Sequence, residues 1–280
     1  MSVWSAEIAS GMAVLPAGYR LLLGNARRIL EADERVRGMW LHGAIARGAL
    51  DASSDLDVDI AVSDESFDEF TSRWVEWLAD ITPSVSAVPI PGMPGSFYAL
   101  TPTCERLDVI SERVSAIPTS TLTRRLVVFD RDGLSALVPE PADPVPDAQL
   151  MRAYIEEMLR QAANFLTVIV RNDWLLGVVA VQQMHQYLYL LFSESNKPQP
   201  PTGPKQWSFK LSDRHRALLE ALPVPQPDLA SITEARQAAL ALLLSEGRTV
   251  ADQHDVDWPE ELADAVLRYL DQVGYGVICT

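Results

Sequence analysis

Trp40-Leu-His-Gly-Ala-Ile-Ala-Arg-Gly-Ala-Leu-Asp-Ala-Ser-Ser-Asp-Leu-Asp-Val-Asp-Ile-Ala-Val62 joins a glycine turn to a run in which acidic and aliphatic residues alternate. The mostly apolar Val36 to Leu41 breaks at Gly43, the composition of a strand entering a tight turn. Ala44 to Gly48 is a short, glycine-bounded segment of helix formers that carries Arg47, and its first N–H groups are free to receive an anion such as a triphosphate. From Asp55 to Val62 the period is that of a strand with one polar and one buried face, so Asp55, Asp57 and Asp59 point together. At a rise of roughly 3.3 Å per residue, Asp55 and Asp57 stand about 6.6 Å apart, close enough to share a Mg²⁺ ion. Asp59 lies about 13 Å from Asp55 by the same rise and is given no metal.

Further along, Cys104-Glu-Arg-Leu-Asp-Val-Ile-Ser111 places Asp108 between two aliphatic residues on a second strand. The chain here resembles the nucleotidyltransferase superfamily that includes the aminoglycoside and lincosamide nucleotidyltransferases. That family's pattern is an apolar residue, Gly-Ser or Gly-Gly, about ten residues, and then Asp-apolar-Asp-apolar, with a third acid from a neighbouring strand. Gly43, Arg47, Gly48, Ser54, Asp55 and Asp57 fall on the pattern, and Asp108 supplies the third acid.

The resemblance implies Mg²⁺-dependent transfer of a nucleoside monophosphate, AMP from ATP, to a hydroxyl of a small cationic acceptor such as an aminoglycoside. Asp55, Asp57 and Asp108 would be the catalytic and metal-binding acids. Gly43, Ala44, Arg47 and Ser54 would bind the nucleotide. The chain departs from the family at Ala44, where a serine hydroxyl ordinarily meets the phosphates. Two alternatives follow: the same chemistry on a lincosamide or another hydroxylated metabolite, and a non-catalytic nucleotide-binding or antitoxin-like module, which Ala44 favours.

The 280 residues are 48% hydrophobic, enough for a substantial core and more readily two domains than one. A formal net charge of −15 argues against a nucleic-acid polymer as partner and suits a cationic small molecule. Cys104 and Cys279 give neither a disulfide framework nor a zinc spacing. With no membrane-spanning apolar run and no leader-like amino terminus, the expected location is cytoplasmic.

The flanking pattern is α/β. Tyr19 to Ala32 has helical spacing, and Ser66 to Leu78 reads as one helix with a Ser66/Glu69 capping box and a stripe of Phe67, Phe70, Trp74, Trp77 and Leu78. Val85 to Ile90, Phe97 to Leu100, Arg106 to Ile110 and Leu126 to Phe129 are strands. The proline-rich stretch Pro139 to Asp147 is an extended linker, so residues 1–140 form a small mixed-sheet domain of the nucleotidyltransferase kind and 141–280 an all-α helical-bundle domain for the substrate. Helices are expected over Gln149 to Asn172, Asp173 to Ser193, Asp213 to Leu222, Ser231 to Leu244 and Pro259 to Val273.

Within the second half, Glu156 and Glu157 are candidates to meet an acceptor amine or hydroxyl at a cleft. Lys205, in the loop Asn196 to Lys210 that holds all three lysines of the chain, is a candidate phosphate contact. His185, Tyr187, Tyr189 and Trp174 read as packing residues. Oligomeric state is not legible.

Overall fold

A computed structural model describes residues 5–199, 202–203 and 205–276; Cys279 lies outside them. Described residues up to Ala142, together with Thr202, Gly203 and Lys205, form one compact unit, and those from Asp143 onward form the other. Thr202, Gly203 and Lys205 therefore belong with the first unit, although Gln199 and Gln206 belong with the helical one.

In the first unit, Ser5 caps α1 (Ala6–Val14) by accepting from the N–H of Ile8, and α2 (Ala17–Ala32) follows. β1 (Val36–Leu41) leads through α3 (Gly43–Arg47) to β2 (Leu56–Val62). Next come α4 (Phe67–Ser72), α5 (Trp74–Ile81), β3 (Ser86–Pro89), β4 (Phe97–Leu100), β5 (Arg106–Arg113) and β6 (Leu126–Asp130). The strands make one six-stranded mixed sheet in the order β3-β4-β5-β2-β1-β6. β2 and β5 run parallel while the other neighbours are antiparallel.

One sheet face buries Val58, Ile60, Leu107, Val109 and Phe97 against Leu23 and Leu30 of α2 and Phe70 and Leu78 of α4 and α5. The expected single helix over Ser66 to Leu78 is two. Arg73, at φ −102° and ψ 21°, leaves the helical ladder, Ser66 ends a 3₁₀ turn without a side-chain cap, and Glu69 points to Arg35 at 3.4 Å instead of closing a capping box. The aromatic stripe survives the break, with Trp74 and Trp77 stacking on or tilting against Phe97 at 4.8 and 5.2 Å.

The opposite face carries a smaller cluster of Trp40, Ala61, Ile117 and Leu134. Asp59 is buried beside it, ion-paired with the buried Arg125 side chain, which also holds Glu112 at 2.7 Å; Ser120 donates to the other Glu112 oxygen at 2.6 Å. Burial, and then Glu112, push the Asp59 carboxyl well above the usual carboxylate range, with Arg125 opposing.

In the second unit, α6 (Ala148–Ala163) is capped by Asp147, which accepts from Gln149 and Leu150 N–H at 2.9 and 3.1 Å. The expected helix through Asn172 ends at Asn164, and α7 (Phe165–Arg171) is a separate short piece. α8 (Trp174–Ser195), α9 (Asp213–Glu220) and α10 (Leu229–Leu242) follow. The ladder widens to π spacing over Leu243–Gly247 before α11 (Arg248–Gln253) and α12 (Glu260–Gln272). Met151, Ile155 and Leu159 of α6 meet Met184, Leu188 and Leu191 of α8, with Leu240 and Leu270, in a core of their own. Among the described residues no helix is long and apolar enough to cross a membrane.

Removing Arg125 leaves the buried Asp59 and the half-buried Glu112 without their cation. Arg125→Ala is expected to lower unfolding free energy at pH 7 by about 3–5 kcal/mol, with part of the deficit regained at pH 5 as Asp59, already raised by burial, takes up a proton; urea unfolding at the two pH values measures both.

Candidate active site

The turn after β1 is shaped by one close approach. Gly43 has φ +64°, and a Cβ there would lie 1.6 Å from Oδ2 of Asp57. Glycine is thus required twice, for the left-handed backbone and for the carboxylate resting on its Cα. The His42 N–H donates to the Asp57 carbonyl at 3.1 Å and ties the turn to β2. Burial lowers the His42 pKa, with the Asp57 charge opposing, and Nε2 of that ring has no hydrogen-bond partner. Gly48, at φ 72°, closes α3, and Ala44 accepts from the Ala49 N–H at 2.9 Å.

Parallel pairing of β2 with β5 sets Asp57 directly opposite Asp108. Burial, then the charges of Asp57 and Asp55, raise the Asp108 carboxyl to about 6. Asp55 is differently placed. It is ion-paired with Arg106, and Lys205 Nζ lies 2.9 Å from its Oδ2. Arg47, its pKa lowered by burial, donates from Nε to the Thr202 carbonyl at 3.2 Å, so Thr202 and Lys205 meet the site at Arg47 and Asp55 respectively.

Gly43, Arg47, Asp55, Asp57, Asp108 and Lys205 are thus neighbours. Ser54 is engaged within its own loop, its hydroxyl accepting from the Asp51 N–H at 3.0 Å and donating to the Asp51 carboxylate at 3.2 Å. Glu156 and Glu157 lie on α6 of the other unit in local pairs, Glu156 with Arg152 at 2.7 Å and Glu157 with Arg160 and, at 2.9 Å, Gln161. His185 is half-buried with its pKa lowered by burial, Tyr187 packs on Tyr154 at 6.3 Å, and Tyr189 stacks on Trp207 at 4.2 Å.

Among the described residues no three His, Cys, Asp or Glu side chains are drawn together as a ready metal cage. The expected three-acid set is present as two facing carboxylates, Asp57 and Asp108, with Asp55 turned onto cations. The donors nonetheless suit a divalent cation. Two acids set side by side, one of them raised by burial and by its neighbour's charge, are hard oxygen ligands of the kind Mg²⁺ takes.

Arg106 and Tyr98 were not anticipated as site residues. Both sit on the Asp108 face of the sheet by simple alternation, Arg106 two residues before it and Tyr98 across the ladder from it.

No family model and no curated protein matches the chain. Among solved structures, an aminoglycoside 6-adenyltransferase from Bacillus subtilis is 14% identical, with 91% of this chain and 96% of that one covered at a TM-score of 0.41. A CdnC:HORMA-deltaN complex from E. coli MS115-1 gives 14%, 99% and 99%, and 0.31. A CCA-adding enzyme in complex with CTP gives 12%, 97% and 73%, and 0.37. What the site can do is decided by its own carboxylates.

The raised Asp108 pKa has a direct consequence for stability. The native state holds this proton more tightly than the unfolded chain, so wild-type stability falls as pH rises from about 3.8, the ordinary value, through about 6. Asp108→Asn is therefore expected to raise the melting temperature above pH 6, with the gain vanishing toward pH 4 in a melting series across that range.

Proposed function

We propose that this chain is a Mg²⁺-dependent nucleotidyltransferase that moves AMP from ATP to a hydroxyl of a small cationic acceptor such as an aminoglycoside. The observation that carries the reading is the in-register pair Asp57 and Asp108 beside the Gly43 turn, with Asp108 raised to about 6. Asp57 and Asp108, joined by Asp55, would hold a divalent cation, which when bound neutralises phosphate charge.

The chain's own residues do the rest. Asp108 accepts the proton of the acceptor hydroxyl, whose oxygen forms a bond to the α-phosphorus as the bond from that phosphorus to the β-phosphate oxygen breaks. Pyrophosphate leaves with the electron pair. The absence of a side chain at Gly43 lets the phosphates approach the Asp57 carboxylate, and Arg47 adds positive charge on the turn. Lys205, paired with Asp55 at 2.9 Å, is within reach of a triphosphate bound there. The acidic balance of the chain, −15, favours a cationic acceptor.

A second reading, a nucleotide-binding module without turnover, is favoured by the engagement of Asp55 with Arg106 and Lys205 and by Ala44 in the place of a phosphate-binding serine. Pyrophosphate release from ATP, GTP, CTP and UTP with Mg²⁺, measured against a panel of hydroxylated antibiotics, separates the two. The transferase reading expects one nucleotide and one acceptor class to react. Calorimetric binding of Mg²⁺-ATP with no release in any well leaves the module.

Asp57→Asn, which keeps the shape and removes the anion, is expected to abolish release by several orders of magnitude in a folded protein; undiminished turnover would overturn the assignment. Ala44→Ser is expected to hold or improve turnover, by up to about 3 kcal/mol of transition-state stabilisation, the range for a hydrogen bond to a charged group.

A further inference from the structure

The row of side chains that carries the two acids does not stop at them. Asp57 pairs with Asp108, Asp108 with Tyr98 and Tyr98 with Val88, so four adjacent strands present one continuous row on one face of the sheet. The intervening residues Phe97, Ala99, Leu107 and Val109 point the other way and are buried in the core. On the row itself Tyr98 is 50% and Val88 53% exposed, although β4 is flanked by a strand on each side. Leu100 and Ile110, on the same face by alternation, are half-buried. The result is an aromatic and aliphatic strip that begins at the Asp108 carboxylate.

We propose that Tyr98, continued by Val88, is the platform on which the acceptor lies while its hydroxyl reaches Asp108; its purpose rests on the transferase reading above. Adjacent strands are about 4.8 Å apart, so the Tyr98 ring lies about 5 Å and Val88 about 10 Å from the Asp108 strand, room for one or two six-membered rings laid across the strands. The occupant is a hydroxylated ring bearing protonated amines. Its C–H face covers the phenol ring, an ammonium group over that ring is drawn by the quadrupole, and the carboxylates at the end of the row supply the opposite charge. A flat, uncharged ligand would leave the acids unanswered, and an anion lying on the strip with no cation between would be repelled by them.

The probe is neamine, a two-ring, hydroxylated polyamine, titrated by calorimetry into the full chain and two variants. Tyr98→Ala is expected to weaken neamine binding about 5- to 30-fold, the span of a cation–π contact between exposed and desolvated settings. Tyr98→Phe keeps the ring face and is expected to bind within about twofold of wild type by the same interaction. Affinity for Mg²⁺-ATP is expected to be equal in all three. In turnover, the loss should sit in KM for neamine with kcat little changed, the mark of a contact made equally in ground and transition states. Should Tyr98→Ala lower the melting temperature, Tyr98→Thr, a strand-forming residue, replaces it.

The platform is overturned by any of four results: no neamine binding by wild type, equal binding by wild type and Tyr98→Ala, loss of Mg²⁺-ATP affinity in place of neamine affinity, or Tyr98→Phe as damaging as Tyr98→Ala. Tyr98-dependent neamine binding in a chain that never releases pyrophosphate keeps the platform and removes the transferase. Pyrophosphate release with uncharged acceptors alone does the reverse.

Discussion

Two like charges held face to face by a parallel strand pair are the constraint on which the site depends. β2 and β5 cannot separate Asp57 from Asp108 without breaking a ladder that runs in register from Leu56 and Leu107 to Val62 and Arg113. Burial, and then their repulsion, raise the Asp108 carboxyl to about 6. Gly43 adds the second constraint, since its bare Cα is the floor on which the Asp57 carboxylate rests. A cation placed on this pair would relieve the repulsion. Asp55, one residue before β2, is already relieved by Arg106 and Lys205. The three acids are therefore unequal, which strand alternation alone does not reveal.

Asp59 makes the same point from the other side. By period it belongs with Asp55 and Asp57, and distance along the strand is the sequence argument for leaving it out of the metal set. The structure supplies a stronger reason. Asp59 is fully buried and ion-paired with Arg125, whose guanidinium lies over the Trp40 ring. Asp59 and Arg125, 66 positions apart in the chain, meet there, and nothing in a strand's period foretells it.

Local pattern was legible where one element decides its own fate. β1 spans the expected Val36 to Leu41, the glycine turn and acidic strand follow it, and the strands at Phe97, Arg106 and Leu126 start where alternation places them. Breaks set by single residues were not. Arg73 is a good helix former and Asn164 a poor one that favours helix ends, yet each sits inside an apolar period that runs through it, and each adopts a ψ near zero that ends a helix. α1 was missed because its buried positions are only Ile8 and Met12, although Ser5 before them is a cap in plain view. Within the site, Gly43, Asp57 and Asp108 could be read from spacing, whereas the Lys205 pairing with Asp55 joins residues 150 apart and required the fold.

The central claim is that the Asp57–Asp108 pair is a cation and triphosphate site. It is tested most directly by calorimetric binding of a non-hydrolysable ATP analogue with Mg²⁺ and with a chelator, in wild type and in Asp108→Asn. The account predicts that wild-type binding needs Mg²⁺ and that the variant loses this dependence. Equal affinity with and without Mg²⁺ in the wild type, or undiminished Mg²⁺ dependence in the variant, would contradict it.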